Sequence, residues 1–192
     1  MNFSVIAITL PQPITNESGI ISELLASGCI DRVHLRKPES TPENMQKLIE
    51  DIPSDMHSLL SLHDFHYLAP IYGCGVHLNS RNPQPPKNYS GIMSCSCHSV
   101  RELELQKEVS YKFLSPIYPS ISKPGYHPGS PIDSLKRQIA DHTIALGGVT
   151  PDKFRELSEL GFSGGAMLGY VWKAISENRL YQLIKEIKCY NS

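Results

Sequence analysis

In Arg32-Val33-His34-Leu35-Arg36-Lys37 polar and apolar side chains take strict turns as far as Arg36. A period of two marks a strand with two different faces, here Val33 and Leu35 on one side and His34 and Arg36 on the other. The same arrangement returns in Leu60-Ser61-Leu62-His63, in Val76-His77-Leu78-Asn79 and in Ser94-Cys95-Ser96-Cys97-His98. In each run the apolar (or thiol) set alternates with a polar set rich in histidine and serine. A closed parallel barrel sorts its strand residues in this way, one set against the surrounding helices and the other into the interior. Enzymes with this architecture place their sites at the carboxyl ends of the strands, so a polar set converging there points to a site more than to a core.

Working outward, segments of strand character fall at residues 4–10, 32–37, 58–63, 75–79, 92–97, 112–118, 143–147 and 165–169. Eight strands alternating with helical patterns predict a single small (β/α)8 TIM barrel spanning residues 1–192 as one domain, with an open doubly wound sheet as the competing arrangement. Helix starts are signalled by Thr41-Pro42-Glu43, Ser130-Pro131-Ile132-Asp133 and Thr150-Pro151-Asp152, each with a hydroxyl at N-cap and proline at N1. Ser99-Val100-Arg101-Glu102 forms a capping box after the fifth strand. Pro83, Pro85 and Pro86 rule out a regular helix after the fourth, so that crossover is expected to be irregular.

Composition narrows the function. With 18 Lys+Arg against 19 Asp+Glu, a formal net charge of −1 and no long run of one sign, no nucleic-acid surface is expected. The apolar stretch 1–10 has no basic residue before it and meets Pro11 and Pro13 at once, which predicts neither a signal peptide nor a membrane span, and a cytoplasmic location. Cys29, Cys74, Cys95, Cys97 and Cys189 contain no CxxC pair and read as reduced core thiols. Small-molecule partners fit this balance, and a homo-oligomer is compatible with it.

Two glycine clusters sharpen the expectation. Gly147-Gly148 and Gly164-Gly165 through Gly169 end strands seven and eight, where bare N–H groups and a following helix start cradle phosphate in barrels of this kind. The loop after strand six carries Ser120, Ser122 and Lys123 between prolines and a glycine. Its cation, with Arg36 and Lys37, suits a second and more highly charged phosphate group. Asp64, just after strand three, reads either as a carboxylate for the magnesium that accompanies a pyrophosphate or as the N-cap of a helix over 65–72.

Taken in order, these motifs resemble the thiamine-phosphate synthase and TenI family nearly end to end. His34-Leu35-Arg36 is similar to that family's Gln-x-Arg, His63-Asp64 to its Asn-Asp, Gly75-Val76-His77-Leu78 to its Gly-Val-His strand, and Ser96-Cys97-His98-Ser99 to its Ser-x-His-Ser/Thr. The stretch Ser115-Pro116-Ile117-Tyr118-Pro119-Ser120-Ile121-Ser122-Lys123 resembles its Gly-Pro-Ile-Tyr/Phe-Pro-Thr-x-Ser/Thr-Lys, and Ala145-Leu146-Gly147-Gly148-Val149 its Ala-Ile-Gly-Gly-Ile.

The resemblance implies a transferase of thiamine biosynthesis that joins hydroxymethylpyrimidine diphosphate to thiazole phosphate and releases pyrophosphate. It implies that Arg36, Ser96, Lys123 and a magnesium ion on Asp64 hold the pyrophosphate, while backbone groups of Gly148, Leu168 and Gly169 hold the thiazole phosphate. His34, Lys37, His63, Ser120, Ser122 and Gly147 complete the expected substrate contacts. The departures are His34 for glutamine, His63 for asparagine, Pro38 for a lysine that Lys37 partly replaces, and Asn82 for a second magnesium carboxylate. One missing carboxylate predicts weak magnesium binding. The alternatives are a thiazole phosphate tautomerase, whose base would fall at Pro116 and would have to be His63 or His127 instead, and a non-catalytic phosphate binder. His34, His63, His66, His77, His98 and His127 each also read as hydrogen-bonded structural residues.

Overall fold

The computed structural model describes residues 3–106, 108–119 and 139–190. Eight parallel strands pair in chain order and the last returns to the first, closing a barrel. They are β1 (Ser4–Ile8), β2 (Arg32–Leu35), β3 (Leu60–Leu62), β4 (Gly75–Leu78), β5 (Met93–Cys97), β6 (Tyr111–Leu114), β7 (Thr143–Leu146) and β8 (Gly164–Met167). Every expected segment contains a strand, and the open doubly wound sheet is excluded by the β1–β8 ladder. Most strands stop short of the expected ends because Arg36, His63, Asn79 and Gly147 leave the ladder to form the rim.

Closure divides the apolar residues into two clusters, as alternation requires. Val33, Leu35, Leu60, Leu62, Val76, Cys95 and Cys97 pack outward against the helices. Ile6, Ile8, Phe113, Ile144 and Ala166 pack inside the barrel. The outer layer comprises α1 (Glu17–Ala26), α2 (Pro42–Glu50), α3 (Ala69–Tyr72), α4 (Val100–Leu105), α5 (Phe154–Glu159), α6 (Gly169–Ser176) and α7 (Leu180–Tyr190). Thr41 caps α2 by accepting from the Asn44 N–H at 3.3 Å. Ser99 caps α4 from the Glu102 N–H at 3.2 Å, and the Glu102 carboxylate returns to the His98 N–H at 2.8 Å. Thr150-Pro151 opens a 3₁₀ turn, Pro151–Lys153, that runs into α5 without a side-chain cap. Residues 80–91 hold neither helix nor strand, as their prolines demand. The helix start expected at Ser130 lies outside the described residues.

The expected helix over 65–72 is a correction: Phe65 takes φ 55°, and a 3₁₀ turn at His66–Leu68 leads into a single α-turn. Four of the five cysteines are buried free thiols, but Cys189 is exposed and not a core residue. No helix among the described residues is long and apolar enough to cross a membrane. The indole N–H of Trp172 on α6 donates to the Ile8 carbonyl at 2.6 Å, tying the last part of the chain to the end of β1.

One ion pair secures the loop that follows β1. Lys37 donates to the carbonyls of Leu10 and Gln12 at 2.8 and 2.9 Å and to Glu17 Oε1 at 2.7 Å, with both side chains buried. All three ammonium protons are used, which is what a buried lysine requires. Glu17→Ala leaves that charge uncompensated, and urea unfolding is expected to show a loss of about 3–5 kcal/mol; a loss below about 1 kcal/mol would mean that the pair is solvated.

Candidate active site

At the carboxyl ends of the strands lies a cavity of about 530 Å³. The residues that have just left the ladders line it: Arg36 after β2, His63 after β3, Asn79 and Arg81 after β4, His98 after β5, Ser115 and Pro116 after β6, Gly147 and Gly148 after β7, and Leu168 and Gly169 around the start of α6. Ser96 and His77 reach it from within their strands, and Ile8, Phe113, Leu146 and Ala166 supply apolar wall. Among the described residues two guanidinium groups border this space and no carboxylate does, so its field favours anions.

One side is built from backbone. Gly147 and Gly148 take φ of 95° and 65°, and a Cβ on Gly148 would strike the Pro119 carbonyl oxygen and lie 2.7 Å from Tyr118 Cβ. Glycine is therefore required where this turn passes against the loop after β6, which it holds through Ile117 N–H to the Leu146 carbonyl and Tyr118 N–H to the Gly147 carbonyl, both 3.0 Å. Next to it α6 starts without a side-chain cap, so its first N–H groups stay available to an anion.

The floor is an imidazole network. Tyr111 Oη lies 2.6 Å from His34 Nε2, and His34 Nδ1 lies 2.9 Å from His63 Nε2. His77 bridges Ser94 and Ser96, both at 2.9 Å, and stacks on His63 with ring centroids 4.0 Å apart. Neutral rings satisfy the chain: a Tyr111 hydroxyl donating to His34 leaves His34 Nδ1–H to donate to His63. Burial, assisted by the charge of His77, holds both His34 and His63 well below the usual histidine range. Burial, with a smaller contribution from His66, takes His77 down to about 3.

Several expected site residues converge on the cavity: Arg36, His63, Ser96, Gly147, Gly148, Leu168 and Gly169. Others do not. His34 is fully buried beneath the cavity, where it forms part of the floor and does not line the open space. Lys37 turns outward into its ion pair with Glu17, so it does not replace the missing family lysine. Ser120, Ser122 and Lys123 lie outside the described residues, as does His127. Asn79 and His98, which strand alternation places in the inward polar set, line the cavity as well, whereas Arg81 was not expected there; its available signal was an arginine three residues past the end of a barrel strand.

Asp64 is neither the helix cap nor a magnesium ligand as the residues stand. Its Oδ1 accepts from Arg81 Nε at 3.3 Å, Arg81 Nη2 at 3.0 Å and Asn82 Nδ2 at 3.3 Å. Its Oδ2 is buried without a partner among the described residues. Magnesium takes six oxygen ligands at about 2.0–2.1 Å, commonly with one or two carboxylates among them. Here the carboxylate already carries a guanidinium, and the amide in place of the second carboxylate points its N–H groups at Asp64 and at the His63 carbonyl, 3.1 Å away. The residues do not fit the ion.

The neutral rings set a pH dependence. Below pH 6.5 the unfolded chain binds protons on these histidines while the folded chain does not, so stability falls as pH drops from 6.5 toward the His77 value of about 3. Urea titrations should show this fall steepening to about 1.4 kcal/mol per pH unit for each buried ring, with His77→Gln reducing the slope by one ring's share. A flat profile through that window would show that the rings are charged in the folded state.

Comparison with known proteins agrees with this geometry. The family model for thiamine monophosphate synthase matches residues 5–171. Thiamine-phosphate synthase of Dictyoglomus turgidum is 25% identical over 181 residues, covering 88% of this chain and 80% of that protein. Thiamine phosphate pyrophosphorylase from Bacteroides thetaiotaomicron superposes with a TM-score of 0.86 at 31% identity, covering 98% of this chain and 97% of that one. The Pyrococcus furiosus protein of the same name, at 18% identity and a TM-score of 0.74, shares the fold. Spread over nearly all eight strands and the glycine turns that close the cavity, these matches show that the chain belongs to the thiamine monophosphate synthase family.

Proposed function

We propose that this chain joins a hydroxymethylpyrimidine diphosphate to a thiazole phosphate. In that reaction the bond from the pyrimidine methylene carbon to the diphosphate oxygen breaks, its electron pair leaves with pyrophosphate, and the thiazole nitrogen forms the new carbon–nitrogen bond. The observation that carries the reading is a cavity bordered by no carboxylate among the described residues, with guanidinium groups on one side and the Gly147-Gly148 turn with the start of α6 on the other. Such a space suits two phosphorylated molecules held side by side, and holding them together supplies proximity.

In this reading Arg36 stabilises the departing pyrophosphate. Its guanidinium has no partner among the described residues, and its backbone is fixed by its N–H donating to Thr9 Oγ1 at 2.9 Å. Ser96, held by His77, offers a hydroxyl to the same anion. The glycine turn and α6 take the thiazole phosphate. Lys123, Ser120 and Ser122 stay with the resemblance as further pyrophosphate contacts. No step is assigned to magnesium, and a cytoplasmic location goes with the small-molecule substrates. His63 is disfavoured as the base of the tautomerase reading, because a useful base titrates near the working pH whereas burial holds His63 well below the usual histidine range; His127, the other candidate, lies outside the described residues.

Purified protein given both precursors should form thiamine phosphate and pyrophosphate in equal amounts, and Arg36→Ala should lower kcat/KM by about 10²–10³-fold. Proton exchange on the thiazole phosphate without coupled product would select the isomerase, and binding without turnover the phosphate binder.

A further inference from the structure

Arg81 is the strongest feature that the reading above leaves unused. It stands between two cavities, the central one and an outer one of about 540 Å³, whereas Asp64 borders only the outer. The carboxylate is 10% exposed and the guanidinium 46%, so a ligand in the central cavity meets the cation and not the anion behind it. The two hydrogen bonds from Arg81 to Asp64 use Nε and Nη2, and Nη1 has no partner among the described residues.

The loop that carries Arg81 is held in place. Asn79 and Asn82 exchange backbone hydrogen bonds at 3.1 Å in both directions. Asn79 Oδ1 accepts the N–H groups of Arg81 at 2.9 Å and Asn82 at 3.1 Å, while Asn79 Nδ2 donates to the His63 carbonyl at 2.8 Å. Asn82 cannot offer its oxygen to a metal here: turning the amide over would set that oxygen against the Asp64 carboxylate and the His63 carbonyl, which are both acceptors.

We propose that the guanidinium of Arg81, anchored on Asp64, replaces a divalent cation in neutralising the diphosphate, so that this chain binds a diphosphate without metal. The inference rests on the diphosphate reading of the central cavity. Arg36 and Arg81 together provide two fixed cations with unspent donors, and an arginine fork matches phosphate oxygens in pairs. Asp64 then serves as a positioning residue: it orients the guanidinium and leaves the central cavity free of negative charge. Once Arg81 is removed, Asp64 and a carboxylate at position 82 would form the oxygen set that magnesium requires.

Calorimetric titration with inorganic pyrophosphate tests this, in EDTA and in excess Mg²⁺. The wild-type affinity should differ by less than about twofold between the two, and Arg81→Met should weaken it about 10- to 100-fold in EDTA. The pair Arg81→Ala with Asn82→Asp should bind at least about tenfold more tightly with Mg²⁺ than with EDTA. A wild-type affinity that rises tenfold or more with Mg²⁺ overturns the inference and leaves the proposed function standing. Absence of pyrophosphate binding under both conditions overturns the diphosphate site itself. The wild-type comparison needs no variant, so misfolding of a mutant cannot obscure the result.

Discussion

Closing eight short strands on themselves admits only every second side chain to the interior, and that geometric limit governs the rest of the molecule. Branched apolar residues fill most barrels, but here β2, β3 and β4 bring His34, His63 and His77 into a space shared with Phe113. Imidazoles so placed cannot hold a proton without losing the hydration of a charge. They survive as neutral rings, each nitrogen of His34 and His77 finding a partner in Tyr111, His63, Ser94 or Ser96. The result is a hydrogen-bonded floor that fixes Ser96 and His63 from below.

Charge is handled by separation. Lys37 and Glu17 neutralise one another among the buried loops outside the barrel, and Asp64 is screened behind Arg81, while Arg36 has no counter-ion among the described residues. The cavity therefore gains a positive field without any single deeply buried unpaired cation, because Arg36 and Arg81 both keep contact with the open mouth.

How much of this was legible in the sequence depends on what alternation can express. It gives direction, so the outward set (Val33, Leu35, Leu60, Leu62) and the inward set (His34, Ser61, His77) fall where the pattern places them. It does not give depth. His34 and Arg36 point the same way, yet one strand step separates a sealed floor from an open rim. Lys37 shares the parity of Val33 and Leu35, and that direction outweighs its charge in deciding where it goes. Arg81 sits in a proline-rich crossover with no periodicity, where only the tertiary pairing with Asp64 defines its position. Helix caps read well at Thr41 and Ser99, whose partners are local, and less well at Thr150, where the hydroxyl turns to Asp152.

The ladder between Ser4 and Gly164, reinforced by the Trp172 indole on the Ile8 carbonyl, bears on how the chain comes off the ribosome. One edge of β1 finds its neighbour β2 early, but the other must wait for a strand encoded some 160 residues later. At translation speeds of about 5–20 residues per second this leaves an incomplete sheet with two open edges for on the order of ten seconds. Unpaired edges of that kind invite pairing with other chains. The barrel thus has its greatest exposure to misassembly during synthesis, before β8 closes it.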